Sequence, residues 1–459
     1  MRIGAAVCAL WAGACSTHTG SRPVAATTEP LPAGVSVHPE AFRGLGRLAY
    51  ASGNRVVILD GAGGAPRSFA FPGAVQRVRF SFDGVWLAAG IRPGAGNRGE
   101  LFVVRAGATT PTRVPVTAAA DWDWSPVRDV IAIVDQSLAP PARSGTIEFF
   151  APPDVARPLA RPVPLEFPEG FLSWSPDGNR LVVKSYTVRA PFLDALWSID
   201  TSGCPPACGS VPRPVRVDVR SGYGGDVGYL PAGWSGDGTR LLIWLDDAHS
   251  GSVMMDGLTL ASIAVDGGPG ARLPTMLAKP SWIANVARTA AAIIAVGGDR
   301  MWDAPRRLDA CNLATGACSA IVDGPGQAID PSVSPDGTRL AYVATDPIVF
   351  ADPHALPPAS SIRWSRSRRL VVTDLSGRGP RVVATGGVVA PRFALDGRHL
   401  VFWRARYLWI VDSARPAPVA IAGPLAARAD DLGFGPFEQS PYILPGDDVW
   451  DSVDWLRTP

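Results

Sequence analysis

A short phrase that recurs along the chain limits its fold more than any other feature. It is clearest as SVSPDGTRLAYVA at residues 332–344. Further copies read VRFSFDGVWLAAG from residue 78, DWDWSPVRDVIAIV from 121, LSWSPDGNRLVVKS from 172, AGWSGDGTRLLIWL from 232 and PRFALDGRHLVFWR from 391. Between the copies that contain Asp237 and Asp336, PSWIANVARTAAAIIAV at 280–296 fits a decayed copy, with Trp282 in register and Asn285 in place of the aspartate. Internal self-similarity of this kind indicates one repetitive body rather than several domains.

Each copy predicts a β-hairpin. One aromatic or apolar residue ends a strand in every copy: Phe80, Trp124, Trp174, Trp234, Trp282, Val333 and Phe393. Pro and Asp then set a tight turn, in which the aspartate accepts backbone hydrogen bonds and Gly supplies the positive φ. The alternating residues that follow, such as Arg339 to Val343, form the next strand.

Two more strands follow most copies, which makes units of four strands. With 45 Pro and 49 Gly and 47% hydrophobic residues, the chain is expected to be all-β with a large core. Residues 46–73 supply three strands without an opening one, and SVDWLRTP at 452–459, with Trp455 in the aromatic position, offers the missing strand. Such a C-terminal strand would close the ring and leave no open edge. We therefore predict a single β-propeller over residues 42–459, of eight four-stranded blades or alternatively seven.

The repeated Ser-Pro-Asp-Gly hairpins, with an aromatic residue before and an apolar strand after, resemble the WD40-like propeller repeats of the TolB family and of the prolyl oligopeptidases. The resemblance covers nearly all of residues 42–459. It implies interaction with other envelope components, since TolB is a soluble periplasmic propeller. We expect the chain to depart from TolB in lacking that family's separate N-terminal α/β domain.

The first forty residues are typical of an exported protein. Arg2 precedes an apolar run from Ile3 to Trp11, and Ala12 to Cys15 are small. We predict a lipoprotein-type signal peptide over 1–15, with lipidation at Cys15 and an outer-membrane location. Residues 16–40 then form a flexible tether. An ordinary secretory signal that is cleaved nearby is the alternative.

Four further cysteines lie in two close pairs, Cys204 with Cys208 and Cys311 with Cys318. Three pairings are formally possible, and local disulfides are the simplest in an oxidising compartment. A hairpin through CNLATGAC would bring its two cysteines to disulfide distance. A zinc site of four thiolates is the alternative, although the spacing fits no familiar ligand pattern.

Three apparent catalytic motifs are better explained as structure. GAGNRG at 94–99 joins two strands and opens no helix, so we interpret it as a loop. Ser235 lies in a repeat turn, and Asp237 stands where a nucleophile elbow requires glycine. Asp121 and Asp123 alternate with tryptophans on one strand, which favours turn caps or channel-lining groups over an acid/base pair.

Two long insertions between the second and third strands of their blades supply the candidate site residues. The first, at 246–257, holds Asp246, Asp247 and His249, which could bind a metal. Because they have no defined ligand spacing, a solvated surface loop is the favoured interpretation, and we predict no metal site. The second, at 345–369, combines aromatic, basic and histidine side chains that suit a partner site, namely His354, Arg363, Trp364, Arg366, Arg368 and Arg369. A solvated basic loop is the alternative to that partner site.

The expected function is that of a non-catalytic cell-envelope lipoprotein whose propeller is a protein-interaction scaffold. The alternatives are a propeller hydrolase or lyase, or a small-ligand or glycan-binding protein, with the site at the channel mouth. We expect no cofactor and no metal, a monomer, an envelope protein or cell-wall component as partner, and membrane contact only through the lipid. The net charge of +2, without a basic run, implies no nucleic acid.

Overall fold

The computed structural model describes the chain from residue 35 onward, with gaps. The described ranges are 35–92, 99–108, 110–137, 144–166, 168–186, 192–209, 211–220, 228–246, 258–266, 270–276, 282–287, 289–298, 305–347, 366–425 and 453–456. The chain divides into two units, Met1–Ser36 and Val37–Pro459. The predicted signal peptide with Cys15, and most of the tether, lie outside the described residues.

The second unit begins a few residues before the end of the predicted tether. Val37 forms a β-bridge with Ala420, and a 3-10 helix follows at Pro39–Phe42. Phe42 is almost completely buried. The remaining described elements are strands, and no helix among the described residues has the length and apolar character that a membrane crossing requires.

Thirty-two strands are present in the described residues. The first fifteen are β1 Arg47–Ser52, β2 Arg55–Asp60, β3 Arg67–Ala70, β4 Ala74–Phe80, β5 Trp86–Arg92, β6 Glu100–Arg105, β7 Thr112–Arg113, β8 Ala119–Trp124, β9 Ile131–Ser137, β10 Ser144–Phe150, β11 Val163–Glu166, β12 Pro168–Trp174, β13 Arg180–Tyr186, β14 Phe192–Asp200 and β15 Arg213–Arg220.

The others are β16 Gly228–Trp234, β17 Arg240–Asp246, β18 Leu258–Ala264, β19 Ala271–Met276, β20 Ile283–Asn285, β21 Ala292–Gly298, β22 Arg306–Asn312, β23 Cys318–Val322, β24 Gln327–Val333, β25 Arg339–Thr345, β26 Arg369–Asp374, β27 Arg381–Thr385, β28 Val389–Phe393, β29 His399–Arg404, β30 Tyr407–Asp412, β31 Arg415–Ala422 and β32 Val453–Leu456.

These strands form groups of four that follow the predicted repeat. Five are separate four-stranded sheets, ordered β3-β2-β1-β32, β4-β5-β6-β7, β8-β9-β10-β11, β12-β13-β14-β15 and β28-β29-β30-β31. A twelve-stranded sheet contains the groups β16–β19, β20–β23 and β24–β27, which single residue pairs connect, Met276 with Gly297 and Arg306 with Gln327. The described strands thus form eight groups, the larger of the two blade numbers that the sequence allows. Within each group the strands are antiparallel, as expected for a TolB-like β-propeller.

One residue at or next to the end of the first strand of each group, with β32 as the first strand of its group, pairs with an apolar residue at the start of the second strand. We call this register position the core position. The pairs are Phe80–Leu87, Trp124–Ile131, Trp174–Leu181, Trp234–Leu241, Asn285–Ile293, Val333–Leu340, Phe393–Leu400 and Trp455–Leu48. Six of the seven copies in the sequence have the register that we predicted.

The decayed copy differs, because Asn285 and not Trp282 occupies its core position. In an intact copy the turn closes with Ser175 N donating to Arg180 O, whereas here Val286 N donates to Ala292 O, so the turn is one residue longer. The prediction of Trp282 in register, with Asn285 replacing the turn aspartate, was therefore wrong by three residues. The Asn285 side-chain amide donates to Trp234 O at 3.2 Å. It thus forms a hydrogen bond to the preceding group, as the indole N–H of Trp124, Trp174 and Trp234 does in intact copies.

The turns use the predicted chemistry and add a buried serine. Ser175 Oγ donates to Asp177 Oδ1 at 2.5 Å and accepts from Arg180 N at 2.9 Å. Asp177 Oδ1 also accepts from Asn179 N, and Gly178 has φ of 66°. Burial of the Asp177 carboxylate raises its pKa, but these hydrogen bonds outweigh that effect and hold the pKa below its usual value. Equivalent Ser–Asp pairs occur at 81 and 83, 235 and 237, and 334 and 336.

Neighbouring groups share hydrophobic cores in a cyclic order. Successive clusters join the first group to the second, and so on along the chain to the eighth. A further cluster joins the eighth group to the first, with Leu408 and Ile410 packed near Leu48 and Trp455. Each group therefore buries its two faces against its neighbours, as in a propeller.

The C-terminal strand completes the first group, which confirms that prediction. β32 pairs antiparallel with β1, Leu48 opposite Trp455 and Arg47 opposite Leu456. The Trp455 indole N–H donates to Leu45 O at 2.7 Å, and its ring lies 5.9 Å from the Phe42 ring. The first sheet is thus assembled from both ends of the second unit.

Both local cysteine pairs form disulfides, as predicted. Cys204 and Cys208 are bonded with Cα atoms 4.3 Å apart. Cys311 and Cys318 are also bonded, with Cα atoms 4.1 Å apart, and they lie opposite each other in the β22–β23 hairpin. With their thiols in disulfides, these residues do not form a zinc site.

Replacing Trp455 with alanine tests the importance of this closing strand. We expect Trp455→Ala to lower the free energy of unfolding by about 3–5 kcal/mol, because it removes a buried indole and leaves a cavity. Urea denaturation of the purified chain measures the change. Phe82→Ala is the control, since Phe82 is 55% exposed and its removal should cost no more than about 0.5 kcal/mol. Equal losses in the two variants would contradict the closing role.

Candidate functional site

In the second, third, sixth and seventh groups, a side chain three residues before the core position forms a hydrogen bond between neighbouring groups. Arg77 Nη1 donates to Asp121 Oδ1 at 2.6 Å, and Asp121 Oδ2 accepts from Leu172 N at 2.8 Å. Arg77 also lies 4.8 Å from the centre of the Trp122 ring, with a longer ion pair of 3.5 Å to Asp123. One carboxylate therefore joins the second, third and fourth groups.

Asp330 makes the same connection on another part of the ring. The Trp282 Nε1–H donates to Asp330 Oδ1 at 2.7 Å, and Asp330 Oδ2 accepts from Ala390 N at 3.0 Å. Trp282, Asp330 and Ala390 all stand three residues before their core positions, as Arg77 and Asp121 do. Trp282 is itself buried in the hydrophobic core, and from there its N–H joins the sixth group to the seventh.

These contacts show what the candidate catalytic groups do. Burial raises the pKa of the Asp121 carboxyl, and the Arg77 charge and two backbone N–H groups only partly oppose that effect. Asp121 nevertheless accepts hydrogen bonds on both oxygens. Ser235 is fully buried and pairs with Asp237 in its turn. The structure thus supports the structural interpretation of Asp121 and Ser235, and no group of three or more metal-ligating side chains occurs within the described ranges.

Strand ends gather at one edge of the twelve-stranded sheet, which we call the insertion edge. β25 ends there at Thr345 and β26 begins there at Arg369, on either side of the second insertion. Pairing places Gln327, the first residue of β24, beside Thr345 and also beside Arg306, the first residue of β22. Gly326 allows this approach, because a Cβ there would lie 2.1 Å from Thr345 O.

A buried cationic cluster lies at the insertion edge. Arg306 and Arg368 are only 8% and 4% exposed. Arg306 Nη1 donates to Gln327 Oε1 at 3.2 Å, and its guanidinium lies 5.2 Å from the centre of the Trp282 ring. Burial, together with the neighbouring charge of Arg368, lowers the pKa of Arg306 to about 10. Arg306 is therefore still cationic at neutral pH.

The predicted partner residues are placed differently from one another. Arg366 is exposed, Arg369 is half-buried and pairs with Asp346 at 2.7 Å, and Arg368 is buried. Arg368 directly precedes β26 and its side chain lies inside the protein, and its role in partner binding stays a prediction. Asp246 ends β17, whose neighbouring insertion includes the first set of candidates. The remaining candidates lie outside the described residues, namely Asp247, His249, His354, Arg363 and Trp364.

Sequence reasoning missed Arg306 and Gln327, which the fold places with Arg368. They come from different strands, and each is an ordinary polar residue at a strand start. For Trp282, the sequence did contain a signal of the true strand register. Counting back from the apolar strand AIIAV, rather than forward from the tryptophan, would have placed Asn285 in the core position.

Comparison with known proteins supports the fold. The sequence matches no protein-family model and no curated protein. Among solved structures, a eukaryotic initiation factor is similar over 84% of this chain and 86% of its own, with 16% identity and a TM-score of 0.50. TolB from Acinetobacter baumannii is similar over 76% of this chain and 66% of its own, with 13% identity and a TM-score of 0.36.

A prolyl endopeptidase, studied for the role of inter-domain dynamics in catalysis and specificity, is also similar. It shares 11% identity over 75% of this chain, with a TM-score of 0.47. The chain spans about half the length of that enzyme, 49% of it. At these identities the similarities concern the fold alone.

Removing Arg77 tests whether the Asp121 network holds the groups together. We expect Arg77→Ala to lower the free energy of unfolding by about 3–5 kcal/mol, because it leaves the Asp121 charge buried without its ion pair. Adding Asp121→Asn should recover part of the loss, since the two sites are coupled. Urea denaturation of both variants measures this.

Arg113→Ala, which breaks the exposed pair with Glu100, is the matched control and should cost no more than about 1 kcal/mol. If the effects of the Arg77 and Asp121 substitutions on the free energy of unfolding simply added, the two residues would not be energetically coupled.

Proposed function

We propose that this chain is a non-catalytic cell-envelope lipoprotein, anchored through Cys15, whose propeller presents the insertion edge to an envelope protein or a cell-wall component. One observation carries the proposal. Asp121 and Ser235 serve the framework, while positive charge is concentrated at the insertion edge. Five arginines lie there, namely Arg306, Arg307, Arg366, Arg368 and Arg369.

Two of these arginines pair with carboxylates of the described residues. Asp309 accepts from Arg307 at 2.9 Å, and Asp346 accepts from Arg369 at 2.7 Å. Arginine is enriched at binding surfaces because its planar donors bond carboxylates and its face stacks on aromatic rings. The surface is therefore suited to a partner that carries negative charge.

Two disulfides support an exported location. Bonded cysteine pairs persist in oxidising compartments and are rare in the cytosol of mesophiles. The N-terminal pattern from Arg2 to Cys15 is that of an export signal, with the cysteine where lipidation would occur. Lipid attachment at Cys15 would hold the propeller at the membrane through the segment that precedes Val37.

Substitution of Cys15 tests the anchor. We expect the native chain, expressed in a Gram-negative host, to incorporate labelled palmitate and to sediment with membranes. Cys15→Ser should abolish the labelling and release the chain into the soluble periplasmic fraction. Cys8→Ser, within the same predicted signal, is the matched control and should behave like the native chain. Membrane sedimentation of the Cys15→Ser chain without label would refute the lipid anchor.

Partner capture tests the binding role. We expect crosslinking of the native chain in its own envelope to recover a specific protein or cell-wall fragment. Trp364→Ala combined with Arg366→Ala should lower its recovery at least about tenfold, because a centrally placed Trp or Arg can contribute 2 kcal/mol or more.

Arg415→Ala, on an exposed outer strand, is the control and should leave recovery unchanged. Reconstitution with the purified partner then measures Kd for each variant. Recovery that is equal in the double variant and the native chain would refute the insertion edge as the binding surface.

A further inference from the structure

Arg404 and Trp409 form a cation–π pair in the β29–β30 hairpin of the eighth group. The guanidinium carbon of Arg404 lies 3.6 Å from the centre of the Trp409 ring. The Trp409 indole N–H donates to Arg404 O at 3.0 Å, so the ring is held by the same residue that it supports. Trp409 also packs against the hydrophobic core that the seventh and eighth groups share. The guanidinium therefore rests on a ring whose position is fixed.

The two-residue turn between β29 and β30 holds Arg404 at the surface. Ala405 and Arg406 have φ angles of 49° and 66°, a conformation that costs a non-glycine residue about 1–3 kcal/mol. Two hydrogen bonds stabilise the turn, since Arg406 Nε donates to Leu425 O at 2.8 Å and Leu425 N donates to Arg406 O at 2.8 Å. A tight turn in place of a long insertion leaves the Arg404 side chain only half-buried.

Arg404 pairs with no carboxylate among the residues that the structure describes. Its Nη1 donates to Thr385 O at 3.1 Å, which is an uncharged partner. Partial burial lowers the pKa of the guanidinium, although arginine stays cationic at neutral pH. The N–H groups on Nε and Nη2 form another edge of the guanidinium and bond none of the described residues. Arg404 thus presents a charged and oriented pair of donors.

This pair of donors extends the insertion edge onto the eighth group. Thr385 lies opposite Arg369 in the pairing of β26 with β27, and Arg369 pairs with Asp346. Through Thr385, Arg404 therefore adjoins the surface that we propose for partner binding. The inference below rests on that proposed function for the existence of a partner, but short peptides can test the donors separately.

The open edge of the guanidinium specifies the group that it would bind. Nε–H and Nη2–H point in the same direction and match the two oxygens of a carboxylate. Asp346, in the adjacent ion pair, would oppose the higher negative charge of a phosphate more than that of a carboxylate. We infer that Arg404, held on Trp409, is an anchor for an aspartate or glutamate side chain of a protein partner. Because stacking already orders the arginine, binding would cost less side-chain entropy.

Binding of an acidic peptide to the purified chain is the test. The probe is fluorescein-labelled hexaglutamate, and labelled hexaglutamine is its uncharged counterpart. Fluorescence anisotropy at low ionic strength measures Kd for each peptide. We expect the native chain to bind hexaglutamate at least about tenfold more tightly than hexaglutamine, and added salt should weaken that binding.

Variants show whether the binding belongs to Arg404. Arg404→Gln should weaken hexaglutamate binding about tenfold, and Arg404→Lys, which keeps the charge but loses the paired donors, should give an intermediate Kd. Trp409→Leu should weaken binding about threefold, because it removes the stacked ring. If Trp409→Leu does not fold, the two Arg404 variants decide the question.

Arg67→Gln is the matched control. Arg67 Nη1 also donates to a backbone carbonyl, Ala106 O at 3.2 Å, but no aromatic ring of the described residues stacks on its guanidinium. The Kd of this variant for hexaglutamate should equal that of the native chain.

Three results would overturn the inference. They are equal affinity of the native chain for both peptides, undiminished hexaglutamate binding by Arg404→Gln, and Arg404-dependent binding of phosphatidylglycerol vesicles without binding of hexaglutamate. The last result would identify a phosphate-bearing surface as the ligand. In envelope crosslinking, equal partner capture by Arg404→Gln and the native chain would retain the proposed function and remove only this anchor. Failed capture with Arg404-dependent peptide binding would retain the anchor and count against the proposed function.

Discussion

The side chain at the core position, wedged between one group of strands and the next, is the contact on which the structure depends. Trp174 shows how it acts. Its ring packs against Phe149 of the preceding group, with ring centres 6.1 Å apart, and its N–H donates to Asp123 O at 3.1 Å. The Trp124 and Trp234 indoles make the same bond to Arg79 and Ser173. Because the bond crosses between groups, each aromatic residue fixes spacing as well as burying area.

The turn after the core position holds that side chain in place. A buried serine bonds both the aspartate of the turn and the first amide of the next strand, so the hairpin is closed by side chains within six residues. Arg128 then connects one turn to the next group, donating to Gly178 O and Thr201 O. Local turn chemistry and contacts between groups therefore act on the same residues. This explains why a weak motif, repeated in register, specifies the fold strongly.

Buried polar groups of the propeller divide into two kinds with different consequences. Asp121 and Asp330 each join three groups, so their carboxylates are used by the framework. Arg306 instead keeps a buried charge that meets only neutral partners among the described residues. Proteins retain such costs mainly at sites that bind or react, because a stable core needs no uncompensated cation. This contrast separates the framework of the propeller from its candidate binding site.

The sequence by itself determined the all-β class, the repeat, the turn chemistry, the closing role of the C-terminal strand and the two disulfides. All of these follow from residues close together in the chain or from the period of the repeat. Only the tertiary structure decided that the exposed Asn285, rather than Trp282, pairs with Ile293 at the start of the next strand, because an additional turn residue shifts the register there. It also decided that Arg368 is buried beside Arg306. Burial of a polar side chain is set by neighbouring strands that are distant in sequence, and no local pattern records which strand ends will meet.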